Sequence, residues 1–231
     1  MENMENSNHS FPSGEVGRGG WIKRFVTNPI GENCYLVWDD SLECAIIDCG
    51  SLGEAQENKI ARFIEENKLH PVFALQTHMH FDHIFGLHFL HRTYGLQPMY
   101  HASEQPVYDY APAMSRNFFG IEIESPLVPV KQYLSDGQEL QFGHSSLHVL
   151  HTPGHTPGGL CFYQPDAKAL FSGDTLFQVS IGRTDFPGGS LQALVDGIRT
   201  KILTLPDDVT VYPGHGPSTT VGYERQYNPY L

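Results

Sequence analysis

Basic residues, cysteines and long apolar runs are all scarce in this sequence. The 231 residues include 14 Lys and Arg against 26 Asp and Glu, a formal net charge of -12, which argues against a protein that coats nucleic-acid phosphates. The four cysteines form no C-x-x-C pair and are too few for a disulfide framework. No stretch approaches the roughly 18 apolar residues of a membrane helix, and the N-terminus has no signal-peptide pattern. We therefore expect a cytoplasmic protein without a nucleic-acid or membrane partner.

The chain from residue 21 onward has the pattern of a single domain that mixes helices and strands. Residues 1–20 are rich in Asn, Glu, Ser and Gly without periodicity, so we expect them to form a mobile tail. Residues 21–231 show no composition shift or linker that would divide them. Two β-rich halves with interspersed helices indicate two sheets packed together with helices outside.

Short apolar runs between turn residues locate the individual elements. They predict strands at 21–27, 34–38, 43–48, 72–76, 98–101, 146–150, 159–163, 169–171 and 209–212, and helices at 52–68, 84–94, from 103, and at 190–203. Residues 112–132 are predicted to be irregular. Because long irregular segments inside compact domains are often functional, a lid over 112–130 is one hypothesis, and exposed packing or a dimer contact is the alternative.

The densest polar cluster, THMHFDH at 77–83, follows the predicted strand 72–76. Residues i and i+2 of an extended segment point to the same side, so His78 and His80 can present two imidazoles to one ion. Asp82 and His83 can then serve a second ion. A single histidine is more often structural, but three histidines and an aspartate within this short segment favour a metal site.

Four further glycine-rich loops follow predicted strands and carry similar groups. They are HTPGHT at 151–156, SGDT at 172–175, GRTD at 182–185 and YPGHG at 212–216. Glycine lets a loop backbone approach an ion closely while the sheet holds the loop in register. We expect one face of the sandwich to gather all of these groups.

Taken in order, these motifs resemble those of the metallo-β-lactamase superfamily over about residues 21–231. SGDTLF at 172–177 and TPGHTPG at 152–158 are most similar to its glyoxalase II branch, the hydroxyacylglutathione hydrolases, and GRTDFPGG at 182–189 and ERQYNP at 224–229 to the compact members of that branch. The resemblance implies an α+β fold, a four-layer αβ/βα sandwich of two mixed β-sheets with outer helices. It also implies a two-metal hydrolytic centre.

The resemblance further implies roles for individual residues. One divalent ion is expected on His78, His80 and His155 and the other on Asp82, His83 and His215, with Asp174 bridging them and with Asp82 and Asp174 as catalytic residues. Two ions roughly 3.5 to 4 Å apart can share a metal-bound hydroxide that attacks a thioester or ester carbonyl. Zinc is the expected metal, and the same ligands accept iron or manganese. No G-x-S-x-G elbow suggests a serine nucleophile instead.

Several neighbours of these motifs are candidates for supporting roles. Ligating histidines usually need hydrogen-bond partners, and His151, Thr77, Thr156 and Thr175 are close enough in sequence to supply them. Each could equally be a turn residue or, for His151, a histidine with another structural role.

Substrate contacts are less well defined by the sequence. Arg183 falls where the family has a lysine for the thiol cofactor, so Arg183 and Asp185 are candidate substrate-binding residues, with a local ion pair as the alternative. Gly216 and Pro217 stand where the family has Glu-Tyr, and the basic C-terminal helices of full-length glyoxalase II enzymes have no counterpart here. The thiol of the substrate therefore stays open.

Three classes of function remain in consideration. The first is a metal-dependent hydrolase of a small-molecule thioester or ester, with lactonase, β-lactamase, phosphodiesterase and nuclease activities as variants. The second is a mononuclear iron persulfide dioxygenase of the same superfamily, using His78, His155 and Asp174. The third is a non-hydrolytic metal-bearing module that docks on a partner. The complete set of seven ligands favours the hydrolase.

Overall fold

The first β-sheet contains seven strands in chain order. The computed structural model describes residues 15–17 and 20–231. The strands are β1 (Glu15–Gly17), β2 (Gly20–Thr27), β3 (Glu32–Trp38), β4 (Glu43–Ile47), β5 (His70–Leu75), β6 (Pro98–His101) and β7 (Gln132–Leu134). The pairs from β1 to β4 are antiparallel and those from β4 to β7 are parallel. The parallel pairs need crossover connections, which are helical here.

Four helical segments make these crossovers. Helix α1 (Glu54–Glu66) joins β4 to β5, and α2 (Phe81–Ile84) and α3 (Leu87–Tyr94) join β5 to β6. A 3₁₀ turn, Ala102–Glu104, leads into α4 (Gln105–Phe119), which precedes β7.

The second sheet is built from the C-terminal half of the chain. Its strands are β8 (Glu139–Phe142), β9 (Ser145–His151), β10 (Leu160–Gln164), β11 (Ala169–Gly173), β14 (Thr210–Pro213) and β15 (Thr219–Thr220). The same half of the chain contains the hairpin β12 (Leu176–Phe177) and β13 (Ser180–Ile181), α5 (Leu191–Gly197), a π-helical segment Ile198–Ile202 and α6 (Val221–Tyr227). The strand order is β15-β14-β11-β10-β9-β8, and the β12-β13 hairpin lies apart from it. Within this sheet β11 and β14 are parallel, and the other neighbours are antiparallel.

The two sheets pack face to face with helices on both outer faces. Along β3 every residue is buried, and the side chains alternate between the two faces of the sheet. Tyr35 and Val37 point into the core between the sheets, against residues such as Phe162 of β10. Leu36 points outward to the cluster that holds Ile60 of α1. On the second sheet, α5 and the π-helical segment pack against the outer face through an equivalent apolar cluster, which includes Leu194, Ile198 and Leu170. The predicted four-layer α+β sandwich is confirmed.

The structure differs from the sequence-based expectations in three places. Residues 112–119 are helical, because α4 continues through Pro112 to a left-handed cap at Gly120 and buries Met114. Burial of an apolar face thus outweighs the backbone hydrogen bond lost at proline. The sequence analysis did not predict the short strands β7, β8, β12, β13 and β15 or the helix α6. Glu15–Gly17 of the expected tail pairs with β2, while residues 1–14 and 18–19 lie outside the described residues.

One edge of the sandwich collects the loops that carry the polar motifs. The parallel strands β4 and β5 end at this edge. Because β9 and β11 both run antiparallel to β10, and β14 runs parallel to β11, these three strands end together as well. Backbone hydrogen bonds join the sheets here: the Leu160 N–H donates to the Thr77 carbonyl at 2.7 Å, and the Asn33 N–H donates to the Gly214 carbonyl at 2.7 Å. Within the described ranges, no helix is long and apolar enough to cross a membrane.

Candidate metal centre

Seven predicted ligand side chains meet at the edge where these strands end. The ligand atoms of His78, His80 and His155 lie within 4.8 Å of one another and form a first group, and those of Asp82, His83 and His215 form a second. Asp174 lies between the groups. Its Oδ2 is 3.6 Å from His155 Nε2, and its Oδ1 is 3.5 Å from His83 Nε2 and 3.8 Å from His215 Nε2.

The local backbone explains why one short motif serves two groups. His78 and His80 lie in the extended segment after β5, and their rings meet edge to face with centroids 4.8 Å apart. Helix α2 begins immediately after His80, which is still extended at its N-cap. The turn into this helix redirects Asp82 and His83 toward His215, and Asp82 Oδ2 lies 3.2 Å from His215 Nε2.

In three histidines the Nδ1 atom is hydrogen-bonded, which leaves the Nε2 atom free to face the centre. Thr77 Oγ1 donates to Asp48 at 2.6 Å, so it accepts from His78 Nδ1 at 3.1 Å. His83 Nδ1 donates to Asp48 Oδ2 at 3.1 Å, and His155 Nδ1 donates to the Arg183 carbonyl at 2.8 Å. Each Nε2 then carries a lone pair, the form in which imidazole binds metals.

Buried polar atoms without partners identify what the site is built to hold. His78 Nε2, His83 Nε2 and Asp174 Oδ1 are fully buried and make no hydrogen bond. Buried polar groups in native proteins are almost always satisfied, so an orphaned cluster calls for a partner. Imidazole nitrogens and carboxylate oxygens are ligands for divalent transition metals. The residues therefore fit divalent metal ions.

Two glycines permit the close approach of these loops. A Cβ at Gly214, next to His215, would lie 2.4 Å from Asp174 Oδ1. Gly173 has a φ of +48°, and a Cβ there would lie 2.2 Å from Thr77 Oγ1. Any larger residue at either position would push the loops apart, which explains the SGD and PGH patterns in the sequence.

The electrostatics of the centre separates the two groups of histidines. Burial lowers the pKa of His78 well below its usual range and that of His80 to about 3, so both rings are neutral. Burial opposes a charge on His83 and His215 too, but the nearby carboxylates of Asp82 and Asp174 outweigh it and raise both pKa values. Carboxylates that favour a proton at these rings equally favour a metal cation.

Sequence reasoning missed Asp48, the residue just after β4. Its buried carboxylate accepts hydrogen bonds from the Thr77 N–H at 2.7 Å, from the Thr77 hydroxyl and from His83 Nδ1. It thereby orients one histidine of each group. The signal available in the sequence was its position at the end of an apolar strand, IIDCG, the same context that marks Asp174.

Glu104 was also missed, and it joins two of the loops. This fully buried carboxylate accepts from the Met79 N–H at 2.9 Å through Oε2 and from the Gly158 N–H at 2.7 Å through Oε1. Burial raises its pKa, and its hydrogen bonds oppose that rise. The loop that carries His78 and His80 is thus tied to the loop that carries His155.

The predicted supporting residues have different surroundings. Thr77 bonds to His78 as described, and Thr156 lies beside Glu104. Thr175 instead faces Thr152, with the two hydroxyl oxygens 3.2 Å apart. His151 stacks on His101, with centroids 4.1 Å apart, and its Nε2 lies 3.2 Å from the Pro157 carbonyl oxygen. Neither Thr175 nor His151 has a candidate ligand among these partners.

Arg183 and Asp185 form the ion pair that was the alternative to substrate binding. The guanidinium contacts both carboxylate oxygens at 2.7 Å. It also lies over the ring of Phe186, 4.0 Å from its centroid. The pair is exposed, and Arg183 still borders the cleft above the centre, where a substrate contact by either residue stays a prediction.

A cleft of about 300 Å³ opens over the candidate ligands. His80, Asp82, His155, Asp174 and His215 form its floor. Its walls are mostly apolar, and α4 supplies Met114, Phe118 and Phe119. The Phe119 ring packs at 5.2 Å on Phe81 although half of the side chain is exposed. The lid suggested for 112–130 therefore corresponds in part to the end of a helix that borders the cleft, and its closing is still a prediction.

The fold and this centre together define a metallo-hydrolase. The family model of the metallo-beta-lactamase superfamily matches residues 27–215, and the chain belongs to that superfamily. The chain is 38% identical to hydroxyacylglutathione hydrolase GloC of Haemophilus influenzae over 202 residues, which are 87% of this chain and 92% of GloC.

Two solved structures have the same fold at similar identity. The BLEG-1 B3 metallo-beta-lactamase has a TM-score of 0.83 and 36% identity, covering 91% of this chain and 99% of its own. TTHA1623, whose structure is in a di-iron-bound form, has a TM-score of 0.80 and 37% identity, covering 90% of this chain and all of its own. The family expected from the motifs is confirmed.

Proposed function

We propose that the protein hydrolyses small-molecule thioesters or related esters, hydroxyacyl thioesters among them, at a centre of two divalent metal ions. The observation that carries this proposal is the pair of ligand groups with Asp174 directed to both. The similarity to a hydroxyacylglutathione hydrolase supports the thioester as the bond that is cleaved.

The protein's own residues would hold both ions and leave the cleft side open. His78, His80 and His155 would hold one ion, Asp82, His83 and His215 the other, and Asp174 both. Ions so bound polarise a carbonyl and lower the pKa of a water molecule. Hydrolysis adds that water across the acyl–sulfur bond, which gives a carboxylic acid and a thiol. Asp82 and Asp174 border the cleft, and a carboxylate oxygen of either would orient the attacking water by accepting a hydrogen bond from it.

Zinc is the proposed metal, and iron or manganese would suit the same ligands. Imidazole and carboxylate accept each of these ions, and selection in the cell depends on supply as well as affinity. The di-iron form of TTHA1623 makes iron a specific alternative.

Metal content tests this proposal directly. Protein purified without chelators should contain close to two ions per chain by plasma mass spectrometry. An Asp82→Ala variant should contain close to one, because it removes a ligand of the second group only. Asp208→Ala, which removes an exposed carboxylate paired with Lys168, is the matched control and should keep both ions. One iron per chain in all three proteins would reject the two-ion centre and favour the persulfide dioxygenase.

Turnover then tests the reaction. The metal-loaded protein should release free thiol from D-lactoyl-glutathione or from hydroxyacyl esters of simpler thiols. A lactone and a β-lactam belong in the same panel, since BLEG-1 is described as a β-lactamase. Full metal loading without hydrolysis of any acyl thioester or ester would refute the proposed reaction.

A further inference from the structure

A second cavity adjoins the cleft over the candidate metal centre. Its volume is about 460 Å³, and its lining comes from α4, from the 3₁₀ turn before it and from three loops, with Val107, Tyr110 and Pro157 among the contributors. None of the functions assigned above uses it.

The two cavities share walls. His80, Met114 and Phe186 line both. The Phe186 ring meets the His80 ring edge to face with centroids 5.5 Å apart, so it stands directly beside the first ligand group. A molecule whose reacting carbonyl lies over the metal centre can therefore extend past Phe186 into the second cavity.

The two cavities differ in charge. Among the described residues, the lining of the second contains no Lys, Arg, Asp or Glu, and its polar side chains are those of Ser103, Tyr110 and His80. Proline, valine, methionine and phenylalanine make up most of the remainder. The cleft, in contrast, is bordered by Arg183 and by the carboxylates of Asp82 and Asp174.

We propose that the second cavity binds the acyl chain of the substrate, so that the enzyme prefers acyl groups longer than acetyl and apolar along their length. This inference rests on the proposed hydrolase function and deepens it. A thiol carrier is polar and often charged, and it would leave by the cleft, which is bordered by the polar side chains of Arg183, Asp82 and Asp174. An apolar chain loses contact with water in the second cavity and needs no charged partner there.

The preference should be visible as a dependence on chain length. Burial of one methylene group contributes about 0.8 kcal/mol, or roughly a fourfold gain in kcat/KM per carbon when fully realised. With N-acetylcysteamine as a constant thiol, kcat/KM should rise from acetyl through butanoyl to hexanoyl and then level off as the cavity fills.

Variants of α4 should change that dependence. Tyr110→Asp places a charge at the exposed rim of the cavity and should lower the hexanoyl-to-acetyl ratio of kcat/KM by about tenfold. Val107→Phe fills the cavity without adding charge and should shift the optimum to a shorter chain. Tyr223→Asp makes the first substitution at an exposed tyrosine of α6 that lines neither cavity, and should leave the ratio unchanged.

Binding of unreactive analogues separates this inference from the hydrolase proposal. Amides that carry the same acyl series should bind more tightly with chain length by calorimetry, and Tyr110→Asp should remove the trend. If binding tightens with acyl length but no thioester or ester is hydrolysed, the cavity binds acyl chains and the proposed hydrolase reaction is wrong.

Several results would overturn the acyl assignment. If hydrolysis does not depend on acyl length, the proposed hydrolase reaction stands and the assignment of the second cavity to the acyl chain is wrong. A dependence on the length of an alkyl thiol, but not on the acyl group, would assign the cavity to the leaving group instead. The absence of both hydrolysis and binding would reject both proposals.

Discussion

At the residue scale, the candidate metal centre depends on a carboxylate outside the seven predicted ligands. Asp48 has a φ of +50°, in the left-handed region that aspartate and asparagine tolerate better than most residues. In this conformation its carboxylate reaches both Thr77 and His83. Because these bonds fix ring orientation and tautomer, the loss of the Asp48 charge should affect ion binding more than folding.

Substitution of Asp48 by asparagine tests this role. Asp48→Asn keeps the size and the backbone preference of the side chain but weakens acceptance from His83 Nδ1. We expect affinity for the ion of the second group to fall about 10- to 100-fold. The measurement is metal retained during competition with a chelator.

The matched control is Asp39, another buried carboxylate that accepts backbone hydrogen bonds, from Ser41 and His144. Asp39→Asn should affect stability while both ions are retained. Equal retention in wild type and Asp48→Asn would show that the carboxylate does not support the ligands.

The four candidate ligands of the motif at 77–83 could be predicted from the residues themselves and the other three through the resemblance, whereas the supports Asp48 and Glu104 could not. Three histidines and an aspartate lie within a few residues in one motif, so clustering alone drew attention to them. Asp48 precedes His83 by 35 residues, and Glu104 follows Met79 by 25. The sequence shows that Asp48 follows an apolar strand, but it does not show the long-range hydrogen bonds that give Asp48 and Glu104 their roles. His151 was proposed as a support from proximity to a motif, and its ring stacks on His101 and lies beside the Pro157 carbonyl, so a role at the centre stays a prediction.

At the element scale, Glu104 joins the 3₁₀ turn before α4 to the two loops that carry the first histidine group. The lining of both cavities also draws on α4. A shift of this helix would therefore move the walls of both cavities together with the two loops that carry the first histidine group. The coupling passes through two backbone N–H donors and one carboxylate.

Substitution of Glu104 by glutamine should disturb this junction. The amide of glutamine offers one oxygen to two N–H donors, and its NH₂ group would face the other donor. We expect a loss of about 1 to 3 kcal/mol in the free energy of unfolding, measured with urea. Glu122→Gln, at an exposed carboxylate paired with Arg116, is the control and should unfold as wild type does. An unchanged unfolding midpoint for Glu104→Gln would contradict a structural role for these two bonds.

At the scale of the whole molecule, two packed sheets with outer helices could be predicted from the apolar runs of the two halves of the chain. The extent of α4 could not, because its helical state depends on burial of Met114 and its neighbours in tertiary contacts. The same deep burial encloses all four cysteines. It raises the pKa of Cys44 to about 12 and that of Cys161 to about 11.

The raised pKa values of Cys44 and Cys161 predict a loss of stability at alkaline pH. The unfolded chain releases thiol protons near pH 9, whereas the folded chain retains them to higher pH, so the unfolded state binds fewer protons and stability falls as pH rises. Between about pH 9 and pH 10 each of these two thiols should contribute a decrease of about 1 kcal/mol per pH unit, and about 1.4 kcal/mol per pH unit is the limit once the unfolded thiol is fully deprotonated. Denaturant unfolding at several pH values measures the slope. Cys161→Ala should make it shallower, and an unchanged slope in this variant would contradict the assignment.

Metal removal should destabilise the fold as a whole, because the candidate ligands come from loops of both sheets and unfolding separates them. An ion at a thousand times its Kd adds about 4 kcal/mol to the native state. In a domain of this size that corresponds to a fall of roughly 10 °C in Tm when the ion is removed. Thermal unfolding before and after chelation, with readdition of zinc, measures the effect. Asp174→Asn, which removes the carboxylate that faces both groups, should respond much less to chelator than wild type. If wild type and Asp174→Asn respond equally, the stabilising ion lies elsewhere and the two sheets are not joined through this centre.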